Sequence, residues 1–238
     1  MQAVIIGATG GIGRALTDAL ANRPDVSRVH ALSRAPFAHD HPRVSASAID
    51  ILDEPSIAAA AAGVAESGAP DLVIVASGIL SAGTDLQPEK SYRHQSQNAF
   101  ERVFAVNTIG PALVAKHFLP IMPRQGRAVF AVLSARVGSI SDNRLGGWHA
   151  YRASKAALNM LIKNYAIEQA RRNEDFIAVG LHPGTVDTEL SKPFQSGVPD
   201  KQLFSAEQSA AYLLDVIEGL TPSDSGKVFD WAGKEVPA

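Results

Sequence analysis

The sequence predicts an α/β fold of the doubly wound kind, a seven-stranded parallel sheet with helices on both faces. Short β-branched runs alternate with longer helical patterns along the chain, as in a sheet whose crossovers are helices. The first strand-like run passes directly into a cluster of glycines and then into an apolar helix pattern, the punctuation of a strand-to-helix turn. With 238 residues, 46% of them hydrophobic, such a chain can remove about 70 to 75% of its unfolded surface from water. One domain over residues 1–238 is the expectation at this length.

The elements follow in order. A strand near Gln2–Ile6 leads to a helix near Gly11–Asn22 with Leu16 and Leu20 on one face, then to strands near Val29–Ser33 and Val44–Ile49. A helix near Pro55–Glu66 contains the run Ala58–Ala62, where the best helix former permits close packing. A strand near Asp71–Ala76, a long helix near Gln97–Leu119 and a strand near Arg127–Ser134 come next. The chain closes with a helix near Ala150–Arg171, a strand near Ile177–Leu181, a helix near Ala206–Gly219 and a strand near Lys227–Asp230. Three irregular stretches interrupt this repeat, at Ala35–Arg43, Leu80–Ser96 and His182–Ser205. Loops that long inside a compact unit are usually functional, so residues 80–96 and 182–205 are expected to shape a substrate site.

Composition removes whole classes of function. Cysteine is absent, which excludes disulfides, thiolate metal sites and cysteine nucleophiles, and agrees with a reducing, cytoplasmic location. A net charge of -2 with no Lys/Arg-rich block argues against nucleic-acid or anionic-lipid partners. The most apolar long stretch, Val103–Met122, contains Asn107, Thr108, Pro111, Lys116 and His117, so it reads as a buried helix and no membrane span is expected. The N-terminus has no basic region or cleavage site of a signal peptide. His39-Asp40-His41 lacks a second ligand cluster and reads as a polar loop, so no metal is expected.

The glycine cluster is Gly7-Ala8-Thr9-Gly10-Gly11-Ile12-Gly13. A phosphate needs unobstructed backbone N–H groups and the positive end of a helix dipole, and glycines at a strand-to-helix turn supply both. Gly7, Gly11 and Gly13 give one parse and Gly7, Gly10 and Gly13 another; either implies the pyrophosphate of a dinucleotide on a Rossmann fold. Ser33-Arg34 ends the second strand with no acid to accept a ribose 2′-hydroxyl, which favours NADP(H) over NAD(H) through a cation for the 2′-phosphate. The alternative for Arg34 is a solvated loop cation. Asp50-Ile51 after the third strand is placed to hold an adenine edge.

Tyr151 and Lys155 are four residues apart in a helical window and share a face. A phenol with a pKa near 10 is a poor acid or base at neutrality, and moving it by about two units takes on the order of 3 kcal/mol, which a nearby ammonium can supply. The pair therefore suits proton transfer to or from a substrate oxygen. A cation resting beside an amphipathic tyrosine is the plainer alternative.

The glycine turn, Asp50, Asn107 in the fourth helix, a serine ending the fifth strand, Tyr151-x-x-x-Lys155 and Pro183-Gly184 after the sixth strand together resemble, in order along the chain, a short-chain dehydrogenase/reductase. The resemblance implies hydride transfer between nicotinamide and a carbonyl or alcohol of a small molecule, with Tyr151 as acid/base. It implies that Lys155 holds the nicotinamide ribose and depresses the tyrosine pKa, and that Asn107 completes a water relay to the lysine. Independently, Pro111 cannot donate to the Asn107 carbonyl four residues back, which leaves that carbonyl free. The resemblance further implies that Pro183, Gly184, Thr185, Val186 and Thr188 lie over the nicotinamide.

The departures are informative. Ile6 stands where the family usually has Thr, and Val75-Ala76-Ser77-Gly78 stands for Asn-Asn-Ala-Gly; both substitutions remove hydrogen bonds that brace the turns, while Gly78 keeps the close approach. The usual Ser-Ser pair reads Ser134-Ala135, so the substrate-orienting hydroxyl is expected from Ser134, with Ser139 the second candidate. Trp148 and His149 are placed either to line the substrate mouth or to cap the helix, and His182 is given no role. The stretch from Ser134 to Tyr151 is similar to the branch that includes sniffer-like carbonyl reductases and C-factor-like signalling proteins. A nucleotide-binding signalling protein with little catalysis is therefore the alternative function. An epimerase would need a further substrate domain after the last strand. Apolar coverage of the helices holding Asn107 and Tyr151 suggests a second partner, with full burial inside one subunit the alternative, and the resemblance implies a homodimer or homotetramer through these helices.

Overall fold

The computed structural model describes residues 1–35, 37–197 and 203–238. Its elements are β1 (Gln2–Ile6), α1 (Gly11–Ala21), β2 (Arg28–Ser33), β3 (Val44–Ala48), α2 (Glu54–Ala65), β4 (Leu72–Val75), α3 (Gln97–Phe104), α4 (Gly110–Phe118), β5 (Ala128–Leu133), α5 (His149–Ala170), β6 (Phe176–His182), β7 (Thr185–Val186), β8 (Leu203–Phe204), α6 (Ala206–Gly219) and β9 (Val228–Asp230). Seven strands form one parallel sheet in the order β3-β2-β1-β4-β5-β6-β9. The order reverses between β1 and β4, and crevices for ligands open beyond the strand ends at such a reversal.

Alternation along the strands divides the core in two. Ile5, Ile74, Ala131 and Val179 pack under Leu16, Leu20, Leu213 and Ile217 of α1 and α6. Val4, Val73, Phe130 and Ala178 pack under Ile57, Val114, Phe118, Leu158 and Ile162 of α2, α4 and α5. Because both faces are covered, the central strands read as continuous apolar runs. Phe118 and Phe130 are fully buried, and each contributes about 1.5 to 3 kcal/mol. In α2 the alanine run buries Ala60 and Ala61, as close packing requires.

Two elements differ from the expected pattern. The helix expected over Gln97–Leu119 is not uniform: it widens to a π turn at Ala105–Ile109 between α3 and α4. Pro111 has no N–H to return to Asn107, so the ladder breaks there and re-forms with a wider loop. The stretch 182–205, expected to be irregular, carries the parallel pair β7–β8 and a 3₁₀ turn at Lys192–Gly197. Its residues 198–202 lie outside the described ones.

The apolar surface of α3 to α5 is also divided. Val103, Val114, Leu158 and Ile162 turn inward, whereas Ile109, Met160 and Ile167 are exposed. Among the described residues no helix is long and apolar enough to cross a membrane.

Candidate active site

Gly7 leaves β1 at φ +92, a left-handed conformation that favours glycine, and brings the turn against Ser77. A Cβ on Gly13 would lie 2.2 Å from the Gly7 carbonyl oxygen, so Gly13 is the position of close helix-to-strand packing. Gly10 is the N-cap of α1, gives it no side-chain cap, and no acid occupies the first turn. The first N–H groups of α1 are thus left for an anion. Gly11 lies beneath Thr188, whose methyl group would meet a Cβ there at 2.7 Å.

A cleft of about 430 Å³ opens beside this turn. Gly7, Thr9 and Gly10 form one wall, Ser33, Arg34, Asp50 and Ile51 a second, and Ala76, Ser77 and Gly78 the floor. Arg34 is exposed at its rim and makes no ion pair among the described residues. Ser33 Oγ is committed to the Ala35 carbonyl at 2.5 Å. Asp50 Oδ1 accepts from Leu52 N at 2.9 Å, which fixes the carboxylate at the mouth. An uncapped helix, bare glycines and a rim cation fit a phosphorylated dinucleotide.

A second cavity of about 420 Å³ adjoins it. Tyr151 and Trp148 line one side, Ser134 and Ala135 the strand edge, and Pro183, Gly184, Thr185, Val186 and Thr188 the other side; Ile12 reaches it from α1. Lys155 lies one helical turn beyond Tyr151, with Nζ 5.8 Å from the Tyr151 ring centre. A Cβ on Gly78 would be 3.5 Å from Asn107 Oδ1 and 3.9 Å from Lys155 Nζ, so these three meet on the floor of the cleft. Most residues singled out in the sequence thus line these two cavities, with Asn107 and Lys155 meeting beneath Gly78; Gly11, Gly13 and His149 do not line them, and neither does Ser139. That serine accepts from Asp142 N at 3.1 Å and does not line the cavity.

One expectation changes, for the tyrosine pKa, and three side chains prove to be already engaged. Lys155 Nζ donates to the Leu133 carbonyl at 2.8 Å and is not hydrogen-bonded to Tyr151. Burial pushes Tyr151 up to about 12 and Lys155 down to about 8, so desolvation here outweighs the attraction between ammonium and phenolate and the tyrosine pKa is not depressed. The Asn107 side chain is fully engaged: Oδ1 accepts from Ile79 N at 2.8 Å, and Nδ2 donates to Ile79 O at 2.8 Å and Ser154 Oγ at 3.2 Å. What is left for a relay is its backbone carbonyl, which has no donor four residues on at Pro111. Finally, Ser134 Oγ donates to Asn159 Oδ1 at 2.6 Å, so its hydroxyl is held by α5.

Further residues were not singled out by the sequence. Glu89, 4% exposed, comes from the 80–96 loop to the N-terminus of α5, where its carboxylate accepts from Ala150 N at 3.3 Å. A carboxylate at a helix N-terminus is favourable, and the Glu89 carbonyl also accepts from Trp148 N at 2.6 Å. This clamp holds Trp148 at φ 50, a rare conformation for a large side chain. Trp148 then meets Tyr151 edge-on at 6.2 Å and Phe194 at 5.3 Å. The only sequence signal for Glu89 is an acid after Pro88 among polar residues, which is too common to read. His39, read as polar loop, bonds Asp18 at 2.7 Å, and no group of His, Asp or Glu among the described residues could hold a metal.

A family model described as short chain dehydrogenase matches residues 1–198. The chain is 40% identical over 136 residues to the C-signal of Myxococcus xanthus, covering 57% of this chain and 76% of that one. Among solved structures it is similar to the NADPH-bound carbonyl reductase from chicken fatty liver, with a TM-score of 0.86, 28% identity and coverage of 100% of this chain and 98% of that one. The fold is likewise that of carbonyl reductase Sniffer of D. melanogaster, with a TM-score of 0.85 at 22% identity over 100% and 99% of the two chains.

Proposed function

The chain belongs to the short-chain dehydrogenase family and is an oxidoreductase, and from that premise we propose that it reduces a carbonyl group of a small molecule with NADPH, Tyr151 being the acid. The observation that carries this reading is Tyr151 facing the second cavity while Lys155, one turn along, reaches the floor of the nucleotide cleft. Bound in that cleft, the reduced nicotinamide supplies a hydride. The α1 N-terminus, Thr9 and Gly10 would hold its phosphates, Arg34 the 2′-phosphate, Asp50 and Ile51 the adenine, and the Pro183–Thr188 segment the nicotinamide end. Arg34, free of acids among the described residues, supports NADP over NAD.

Tyr151, pushed up to about 12, holds its proton throughout the neutral range and is ready to give it to a carbonyl oxygen as that oxygen gains charge. Lys155, kept near its charge transition at about 8, sits where it can stabilise the resulting phenolate, and a water on the open Asn107 carbonyl would return the proton. Trp148 and the loops 80–96 and 182–205 shape the substrate side. The reading includes a homodimer or homotetramer through the exposed Ile109, Met160 and Ile167, a cytoplasmic location in keeping with the lack of cysteine, and one unit carrying both cleft and substrate loops.

The test is NADPH oxidation over a panel of aldehydes, ketones and quinones with wild type and Tyr151→Phe. Removing a positioned acid is expected to cost about 10² to 10⁴ in rate. A second reading, a nucleotide-binding signalling protein, is favoured by Ala135 and by the likeness to the C-signal. Tight NADPH binding with no Tyr151-dependent turnover on any substrate would replace the first reading with the second.

A further inference from the structure

His182 ends β6 and makes no side-chain hydrogen bond among the described residues, although it stands beside the cavity that holds Tyr151. Its Cα partner on one side is Asp230 of β9. On the other side Leu181 pairs with Leu133, and Leu181 O accepts from Ser134 N at 2.8 Å, so His182 and Ser134 are neighbours across two strand ends. Leu133 and Leu181 point to the α1/α6 core, whereas a Cβ on Gly180 would face Ile162 of α5 at 3.3 Å. Alternation therefore turns the His182 ring to the α5 side, where Tyr151 stands.

The ring has one buried and one open nitrogen. Nδ1 is buried without a partner, the one such side-chain atom among the described residues. Nε2 is neither buried nor bonded, and the residue lines the cavity. A buried N–H with no acceptor costs more than a buried lone pair, so the proton belongs on Nε2 and the N–H is presented to the cavity. Burial keeps the ring neutral, with its pKa pushed down to about 4; Asp230 opposes this and Arg136 adds to it. Asp230 is itself occupied, accepting at Oδ1 from Ala232 N at 3.0 Å and Lys234 N at 2.9 Å, with Arg136 3.9 Å from Oδ2.

Three hydroxyls at this edge are already spent. Ser134 gives its proton to Asn159, Thr188 and Ser191 give theirs to the Val186 carbonyl, and Ala135 has none. We propose that His182 holds an oxygen of the carbonyl substrate through Nε2–H, supplying the orienting hydrogen bond that Ala135 leaves without a hydroxyl. The inference rests on the reductase reading above and adds to it a substrate contact on β6.

The experiment compares wild type, His182→Leu and His182→Gln in steady-state NADPH oxidation with the best carbonyl of the panel, together with NADPH affinity by fluorescence. Leucine is expected to lower kcat/KM about 10- to 100-fold, the range of a lost buried donor. Glutamine, which can present an N–H where Nε2 was, should recover most of it, and both variants should bind NADPH as wild type does. Leucine equal to wild type, or glutamine as poor as leucine, overturns the inference while leaving the reductase reading intact. Absence of any Tyr151-dependent turnover in wild type overturns the reading and the inference with it. Nitrogen-15 NMR of the histidine rings reads the same claim without turnover: a neutral Nε2–H ring for His182 from pH 5 to 8 supports it, and an Nδ1–H or charged ring refutes it.

Discussion

Replacing Lys155 by methionine should strengthen the fold while it removes the activity. Lys155 is 3% exposed, and burial lowers its pKa from 10.5 to about 8. A difference of that size corresponds to about 3 kcal/mol spent, at neutral pH, on holding a charged ammonium out of water. Methionine has similar length and no charge, but it forfeits the hydrogen bond from Nζ to the Leu133 carbonyl, worth about 1 kcal/mol. The net expectation is a gain of about 2 kcal/mol at pH 7.

The sign with pH is the same as that of a paired carboxylate, because in both the folded pKa lies below the unfolded one. Folded Lys155 loses its proton near 8, whereas the unfolded chain keeps it to about 10.5. Between those values the unfolded state binds more protons, so wild-type stability rises with pH while Lys155→Met lacks this rise. Tyr151 and Tyr165, pushed up to about 12, act in the other direction but only above about 10, where unfolded tyrosines ionise. Urea unfolding of both proteins at pH 7 and pH 9.5 is the assay, with NADPH oxidation alongside. A Lys155→Met protein that is less stable than wild type at pH 7, with an unchanged m-value, would refute the desolvation argument.

Three further outcomes are expected. Gly13→Ala drives a methyl group to 2.2 Å from the Gly7 carbonyl oxygen, so thermal unfolding should show a loss of about 2 kcal/mol or more together with loss of NADPH binding; retention of both would contradict the packing described for the turn. Arg34→Ala should weaken NADPH about 10-fold, in a salt-dependent way, and leave NADH nearly unchanged; equal effects on the two in isothermal titration would mean that Arg34 is a solvated cation. Met160→Glu with Ile167→Glu, on exposed apolar sites of α5, should lower the mass seen by light scattering to that of one chain if α5 carries the subunit interface, and an unchanged mass would place that interface elsewhere.

The fold was legible because its signals are local and redundant. The apolar runs of β1, β4, β5 and β6 follow from burial on both faces, and helix positions follow from spacing. The π turn at Ala105–Ile109 was signalled only by Pro111, and proline predicts that a bond is missing without saying how the backbone absorbs the loss. The two-residue strands β7 and β8 have no period long enough to see. They pair because Gly184, at φ +79 against Phe204, turns the chain back after β6.

The site divides in the same way. Most residues named for the cofactor, with Ser134 and Tyr151, line the two cavities and Asn107 and Lys155 meet beneath Gly78, since their order along a doubly wound sheet places them at its C-terminal edge. Ser139 does not, because the turn at Arg136–Gly138 carries it back toward Asp142. Glu89 was invisible, since a carboxylate acquires meaning only from the helix end that the fold puts beside it.

By itself, then, the sequence determined the class of fold and the family and named most of the groups proposed for the chemistry, all of which depend on residue types at set spacings. Tertiary structure decided how those groups are poised: which hydroxyls are already spent, which imidazole nitrogen faces the cavity, and which way the pKa values of Tyr151 and Lys155 move. Those properties depend on desolvation and on hydrogen-bond partners distant in sequence, such as the Leu133 carbonyl for Lys155 and Asn159 for Ser134. Spacing along a chain carries no record of how much water a folded site excludes.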